Sequence, residues 1–163
     1  MGWWASRVRR FVRYFRARVS TAERSGLAEW LTADQLALFD SMHAADRRHG
    51  LDVVAALRAA GHRQPDLLLA GLLHDCGKGR ELHVWHRVAW SLGERYGSRV
   101  ESTLVRLPTF ARAFRTMADH ARVSAELALA AGVGPLTSDL IRNQAEPTDP
   151  ELGRALLLAD QAN

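Results

Sequence analysis

The chain predicts an all-α fold, and three observations carry that expectation. Apolar residues recur at helical spacing through most of the 163 residues. Helix punctuation recurs with them: Thr32-Ala33-Asp34-Gln35 has the spacing of a capping box, Pro65 suits a first helical position, and Gly61, Gly132 and Pro135 mark boundaries. No stretch sustains the period-two alternation of a half-buried strand. With 47% hydrophobic residues the chain can bury the core of one compact domain and is short for two. That domain is expected over residues 31–163, with residues 1–30 as a basic appendage and linker.

The first element is read from Trp4, Val8, Phe11, Val12, Phe15 and Val19, which share one helical face, while Arg9, Arg10, Arg13 and Arg16 fall mostly off it. Residues 1–30 hold seven arginines against two glutamates, a net +5, which leaves −1 for the remainder of the total +4. Such a basic amphipathic helix can dock on the domain, lie in an anionic membrane interface over residues 3–19, or meet a partner; adjacent Trp3 and Trp4 suit the interface. No nucleic-acid partner is expected. Arginines interrupt the segment every two or three residues, so it offers neither a bilayer span nor a secretory core. A single cysteine, Cys76, excludes an intramolecular disulfide and fits a reducing compartment. A cytoplasmic protein, peripheral at most to the membrane, is the expectation.

A polar bridge containing Gly26 follows. The capping box then opens a helix that buries Leu36, Leu38 and Phe39. Further helices are read at 45–60, 65–76, 82–95, 98–106, 110–117, 120–131, 135–144 and 150–162. No internal repeat or low-complexity tract occurs.

Function is sought where polar residues occupy positions that periodicity reserves for the core. The apolar run Leu67-Leu68-Leu69-Ala70-Gly71-Leu72-Leu73 delivers His74-Asp75-Cys76-Gly77-Lys78 at its end. An imidazole and a carboxylate buried together need a metal, a cation or a proton donor. His49 shares the stripe of Val53, Ala56 and Leu57; His120 begins that of Val123, Leu127 and Ala131; Asp160 ends that of Leu156 and Leu157. Five inward polar residues from four helices suit a divalent ion such as manganese, iron, zinc or magnesium. Neighbours on a helix diverge by roughly 100°, so His74 and Asp75 reach one ion only from a helix end, unless Asp75 bridges two.

At these residues the chain resembles the HD-domain superfamily of metal-dependent phosphohydrolases. The pattern is a histidine, a His-Asp doublet on the next helix and a late aspartate, here His49, His74-Asp75 and Asp160. It spans residues 46–163, from Asp46-Arg47-Arg48-His49 to Leu158-Ala159-Asp160. The resemblance implies an HD-type helical bundle and hydrolysis of a phosphate ester or anhydride, on a nucleotide-like substrate, by a metal-activated water. It implies His49, His74, Asp75, Asp160 and His120 as the metal set. Asp75 would orient the attacking water, and Lys78 with Arg80 would hold the phosphate charge. Two-metal members, including the HD-GYP cyclic-dinucleotide phosphodiesterases, place a His-His pair where this chain reads Asn143-Gln144. Amides replace imidazoles there, so one metal is expected rather than two.

Lys78 is the chain's one lysine beside twenty-one arginines. His83 and His86 lie three apart on an expected helix; His86 in particular is a candidate for the substrate mouth, with a partly exposed structural face as the alternative. His43 is read as structural, His62 as a loop residue and Cys76 as a buried, inert thiol. Two functions from different classes remain: a metal-dependent phosphohydrolase, and a catalytically weak or inactive metal-binding scaffold, which the amides at 143 and 144 favour.

Overall fold

The structure, a computed structural model, describes residues 17–79 and 108–163. These residues form α1 (Thr21–Ala28), α2 (Ala33–Ser41), α3 (Ala44–Ala59), α4 (Pro65–Leu73), a short 3-10 turn (Cys76–Lys78), α5 (Pro108–Ala130), α6 (Pro135–Arg142) and α7 (Leu152–Ala162). No strand occurs among the described residues, and the all-α expectation holds for them.

Local chemistry explains where the helices start. The Thr32 hydroxyl accepts the Gln35 amide while the Gln35 side chain accepts the Thr32 amide, as the spacing predicted. A second box begins α1: Ser20 Oγ accepts from the Glu23 amide at 3.2 Å, and the Glu23 carboxylate accepts from Ser20 at 2.8 Å. The segment expected to be a polar bridge is therefore largely helix. Gly26 thins its apolar pattern, but Ser20 and Glu23 supply the start. His43 caps α3, its Nδ1 accepting the Ala45 amide at 3.1 Å, which gives the structural role expected for it a definite form.

Helix boundaries differ from expectation in several places, among them the starts of α5 at Pro108 and of α7 at Leu152, each two residues from where they were read. α4 stops at Leu73, three residues early, and the chain tightens into the 3-10 turn. The two helices expected at 110–117 and 120–131 are one, because Ala118 and Asp119 carry neither glycine nor proline to break it. α6 ends at Arg142, where the Asn143 backbone amide donates to the Asp139 carbonyl at 3.0 Å and its side-chain amide does so at 2.9 Å, closing the helix. Residues 17–20 precede α1 without helical structure, and Val19 packs against the core. The rest of the expected basic helix, residues 3–16, and the helices expected at 82–95 and 98–106 lie outside the described residues.

α4 runs through the centre. Leu67, Leu68, Ala70, Leu72 and Leu73 are all buried, packed by α3, α6 and α7. Phe39, Leu57, Ile141 and Leu156 complete the interior, each 1% exposed or less, and each such side chain contributes about 1.5–3 kcal/mol of burial. Leu27 of α1 belongs to the same core.

Two glycines set the spacing that matters for the site. A Cβ on Gly50 of α3 would lie 2.4 Å from the Leu72 carbonyl oxygen, so α3 and α4 touch through bare backbone. A Cβ on Gly77 would lie 2.6 Å from the Ser124 amide nitrogen and 2.7 Å from the His120 carbonyl oxygen, so the 3-10 turn lies directly on α5. No larger residue fits either contact without moving main chain. None of the described helices is long and apolar enough to cross a membrane.

Candidate metal centre

α4 ends with its last turn buried, and His74 follows at 2% exposure. Its Nδ1–H donates to the Gly71 carbonyl at 3.0 Å. A carbonyl oxygen only accepts, so Nδ1 carries a proton; the neutral ring then presents a lone pair at Nε2, and the charged ring donates from it. The close approach at Gly50 brings the neighbouring His49 ring to 5.2 Å from the His74 ring, edge-on at 66°. From a third side α7 supplies Asp160, whose Oδ1 lies 2.8 Å from His49 Nε2 and 3.6 Å from His74 Nε2.

The three donor atoms of His49, His74 and Asp160 lie within 4.8 Å of one another. Ligands at about 2.0–2.2 Å from a shared ion stand roughly 3–3.5 Å apart, so two imidazoles and a carboxylate at these separations fit a divalent cation. The donor set is mixed nitrogen and oxygen, which suits the borderline and hard ions expected from the sequence. His74 forms the buried floor; His49 and Asp160, 25% and 41% exposed in their side chains, form an open rim.

Asp75 stands beside this cluster. Its Oδ1 is 3.6 Å from His74 Nε2 and 3.8 Å from His120 Nε2, while Oδ2 is 2.5 Å from Lys78 Nζ. His120 donates Nδ1–H to the Met117 carbonyl at 2.5 Å, which turns its Nε2 toward Asp75. All five expected ligands and Lys78 thus meet in one region, with His120 and Asp75 outside the group formed by His49, His74 and Asp160.

The charges follow from these contacts. Burial works against ionised Asp75, but Lys78 and then the histidines outweigh it and hold the carboxyl well below the usual range. Burial likewise opposes Asp160, and hydrogen bonds from His49 and His74 more than offset it. Burial disfavours the charged form of His74, yet Asp75 and Asp160 raise its pKa above the ordinary value. His120 moves the other way, lowered by burial and by Lys78. Both carboxylates are therefore charged near neutrality and available to a cation.

Cys76 is buried, its thiol facing the Ser124 carbonyl at 3.5 Å, and burial pushes its pKa up to about 12. The inert thiol expected from the sequence agrees with this, since the thiolate is the reactive form. Arg80, His83 and His86 lie outside the described residues. Four residues take roles that the sequence does not announce. Gly50 and Gly77 act by lacking a side chain, although both directly adjoin candidate residues or their motif. Ser124 accepts the Gly77 amide at 2.8 Å from a position that reads as ordinary core. Gln144, considered only as a poor carbonyl ligand, instead directs its amide nitrogen at the site, within 3.2 Å of the His74 carbonyl oxygen.

Compared with protein-family models, with curated proteins and with solved structures, the chain gives no match.

Proposed function

We propose that the chain is a metal-dependent phosphohydrolase of the HD type, acting on a phosphate ester or anhydride of a nucleotide-like small molecule. The observation that carries this reading is the convergence of His49, His74 and Asp160, with Asp75, Lys78 and His120 alongside. One divalent ion, manganese, iron, zinc or magnesium, is held by that triad together with Asp75. Bound there, it supplies Lewis acidity toward a phosphoryl oxygen and lowers the pKa of water.

The protein's own groups do the rest. Asp75, ionised and fixed by Lys78, orients the attacking water by accepting its hydrogen bond. Lys78, a compact point charge at the edge of the centre, and Arg80 receive phosphate charge as it builds. His86 belongs to the substrate mouth. His74 keeps its Nε2 aimed at the centre through its bond to Gly71. Residues 3–19 give the cytoplasmic protein peripheral contact with anionic membrane.

The second reading is a non-catalytic metal-binding scaffold, favoured by the amide of Gln144 beside His120. Metal analysis of the purified protein, followed by a manganese-supplemented phosphatase screen, separates the two. Stoichiometric metal with turnover, both lost in Asp75→Ala, supports the enzyme. Stoichiometric metal with no turnover on any phosphate ester supports the scaffold. An Asp75→Ala protein with full turnover ends the proposal.

A further inference from the structure

The C-terminus of α4 leaves main-chain carbonyls without helical partners, and a side chain from the turn after α6 meets one of them. Nε2 of Gln144 lies 3.2 Å from the His74 carbonyl oxygen and 3.5 Å from Nε2 of His120. A carbonyl oxygen accepts and never donates, so the nitrogen of the Gln144 amide, and not its oxygen, faces this corner. His120 has committed Nδ1–H to the Met117 carbonyl, which leaves a lone pair on Nε2. The same amide therefore gives one hydrogen to His74 and the other to His120. His120, like Asp75, lies outside the group whose donor atoms lie within 4.8 Å of one another; Asp75 Oδ1 stands 3.6 Å from His74 Nε2, and His120 Nε2 stands 3.8 Å from that same Oδ1.

We propose that Gln144 is a positioning residue whose amide, by donating to Nε2, holds the His120 ring beside Asp75 and keeps it from ligating the ion. The inference rests on the metal centre proposed above. A lone pair accepting an N–H is not free for a cation, and an ion taking it would leave the amide without its acceptor. Gln144 also ties the end of α4, which carries the His-Asp doublet, to α5, which carries His120. It thereby fixes the distance between the two sides of the site.

Side-chain nitrogen NMR on the full chain, labelled at histidine and with His120 assigned by His120→Gln, tests this. In metal-free protein, Gln144→Met keeps the length of the side chain and removes both donors. The expected result is a His120 Nε2 signal displaced toward the free, non-hydrogen-bonded position while Nδ1 stays protonated; an unchanged Nε2 overturns the proposal. With one equivalent of zinc, the wild-type signals of His49 and His74 should shift and His120 should not. In Gln144→Met, His120 should begin to respond. A coordination shift of wild-type His120 at the first equivalent overturns the proposal without any variant being needed. If zinc moves no histidine, the metal centre itself is lost, and the metal-free comparison still decides the role of Gln144. Gln144→Leu serves as the second variant should Gln144→Met fail to fold.

Discussion

Lys78 illustrates how much one side chain carries in this site. It is mostly buried, and its ammonium lies 2.5 Å from a carboxylate that is only 4% exposed. Removing one member of a buried ion pair costs about 3–5 kcal/mol, because the other charge is left without compensation. Lys78→Met should therefore lower the stability of metal-free protein by about that amount in urea unfolding, and zinc should restore part of the loss by supplying positive charge. A loss unchanged by zinc would mean that the ion does not neutralise Asp75. Glu23 offers a test far from the site. Arg48, followed by the Ser20 cap, lowers its pKa to about 2 from an ordinary 4.5. A depressed carboxyl stabilises above its unfolded pKa and ceases to as pH falls toward the folded value. Wild type should thus exceed Glu23→Gln in thermal midpoint at pH 7, with the gap closing between about pH 4.5 and 2; a gap constant with pH would refute the pairing. His49, His74, Asp75 and Asp160 were legible because polar groups broke an apolar pattern; the stripe read for His120 is not the buried one, since Leu127 is 40% exposed and Ala125 and Ala128 are buried instead. The partners of the site were not legible, since Gln144 and Ser124 act through hydrogen bonds that leave no periodic trace in sequence.

Helices here are started by signals the chain displays and joined by contacts it does not. The Thr32 box and Pro65 marked the starts of α2 and α4 within a residue, and Ser20 with Glu23 would have marked α1 had the run around Gly26 been less polar. Boundaries failed where termination depends on tertiary contact. α4 stops early because the 3-10 turn must reach α5, and α5 continues because nothing in it compels a break. The junction of turn and α5 is the element on which the proposed geometry depends. Gly77→Ala would force a Cβ against the Ser124 amide and His120 carbonyl, and such overpacking costs typically about 1–3 kcal/mol. Ser124→Ala removes the acceptor of the Gly77 amide, leaving a buried donor unpaired at about 1–3 kcal/mol. Both variants should melt earlier and bind zinc more weakly, read by calorimetry, whereas Leu158→Ala, on an exposed leucine of α7, should do neither. Equal zinc affinity in Gly77→Ala and wild type would remove the turn from the account of the site.

Across the whole molecule, the interior is one continuous apolar cluster reaching from Leu27 to Ala159. Helical periodicity announced its composition, and close to half the chain being apolar announced its size. What periodicity could not convey is the order in which helices surround α4, because amphipathic stripes say which face is buried and not against which neighbour. The pairing of His49 with Asp160 joins positions 111 residues apart. An ion gripped by both, and by His74 between them, would behave as a removable clasp on a very long chain loop, whose closure is entropically among the most expensive in the fold. Chelation should then release α7 ahead of its neighbours. Amide hydrogen exchange at 152–162 would quicken on adding EDTA while α4 stayed protected; uniform exchange along the chain would contradict it. Occupancy of the centre would in that way report, in a living cell, whether the last helix had found its seat.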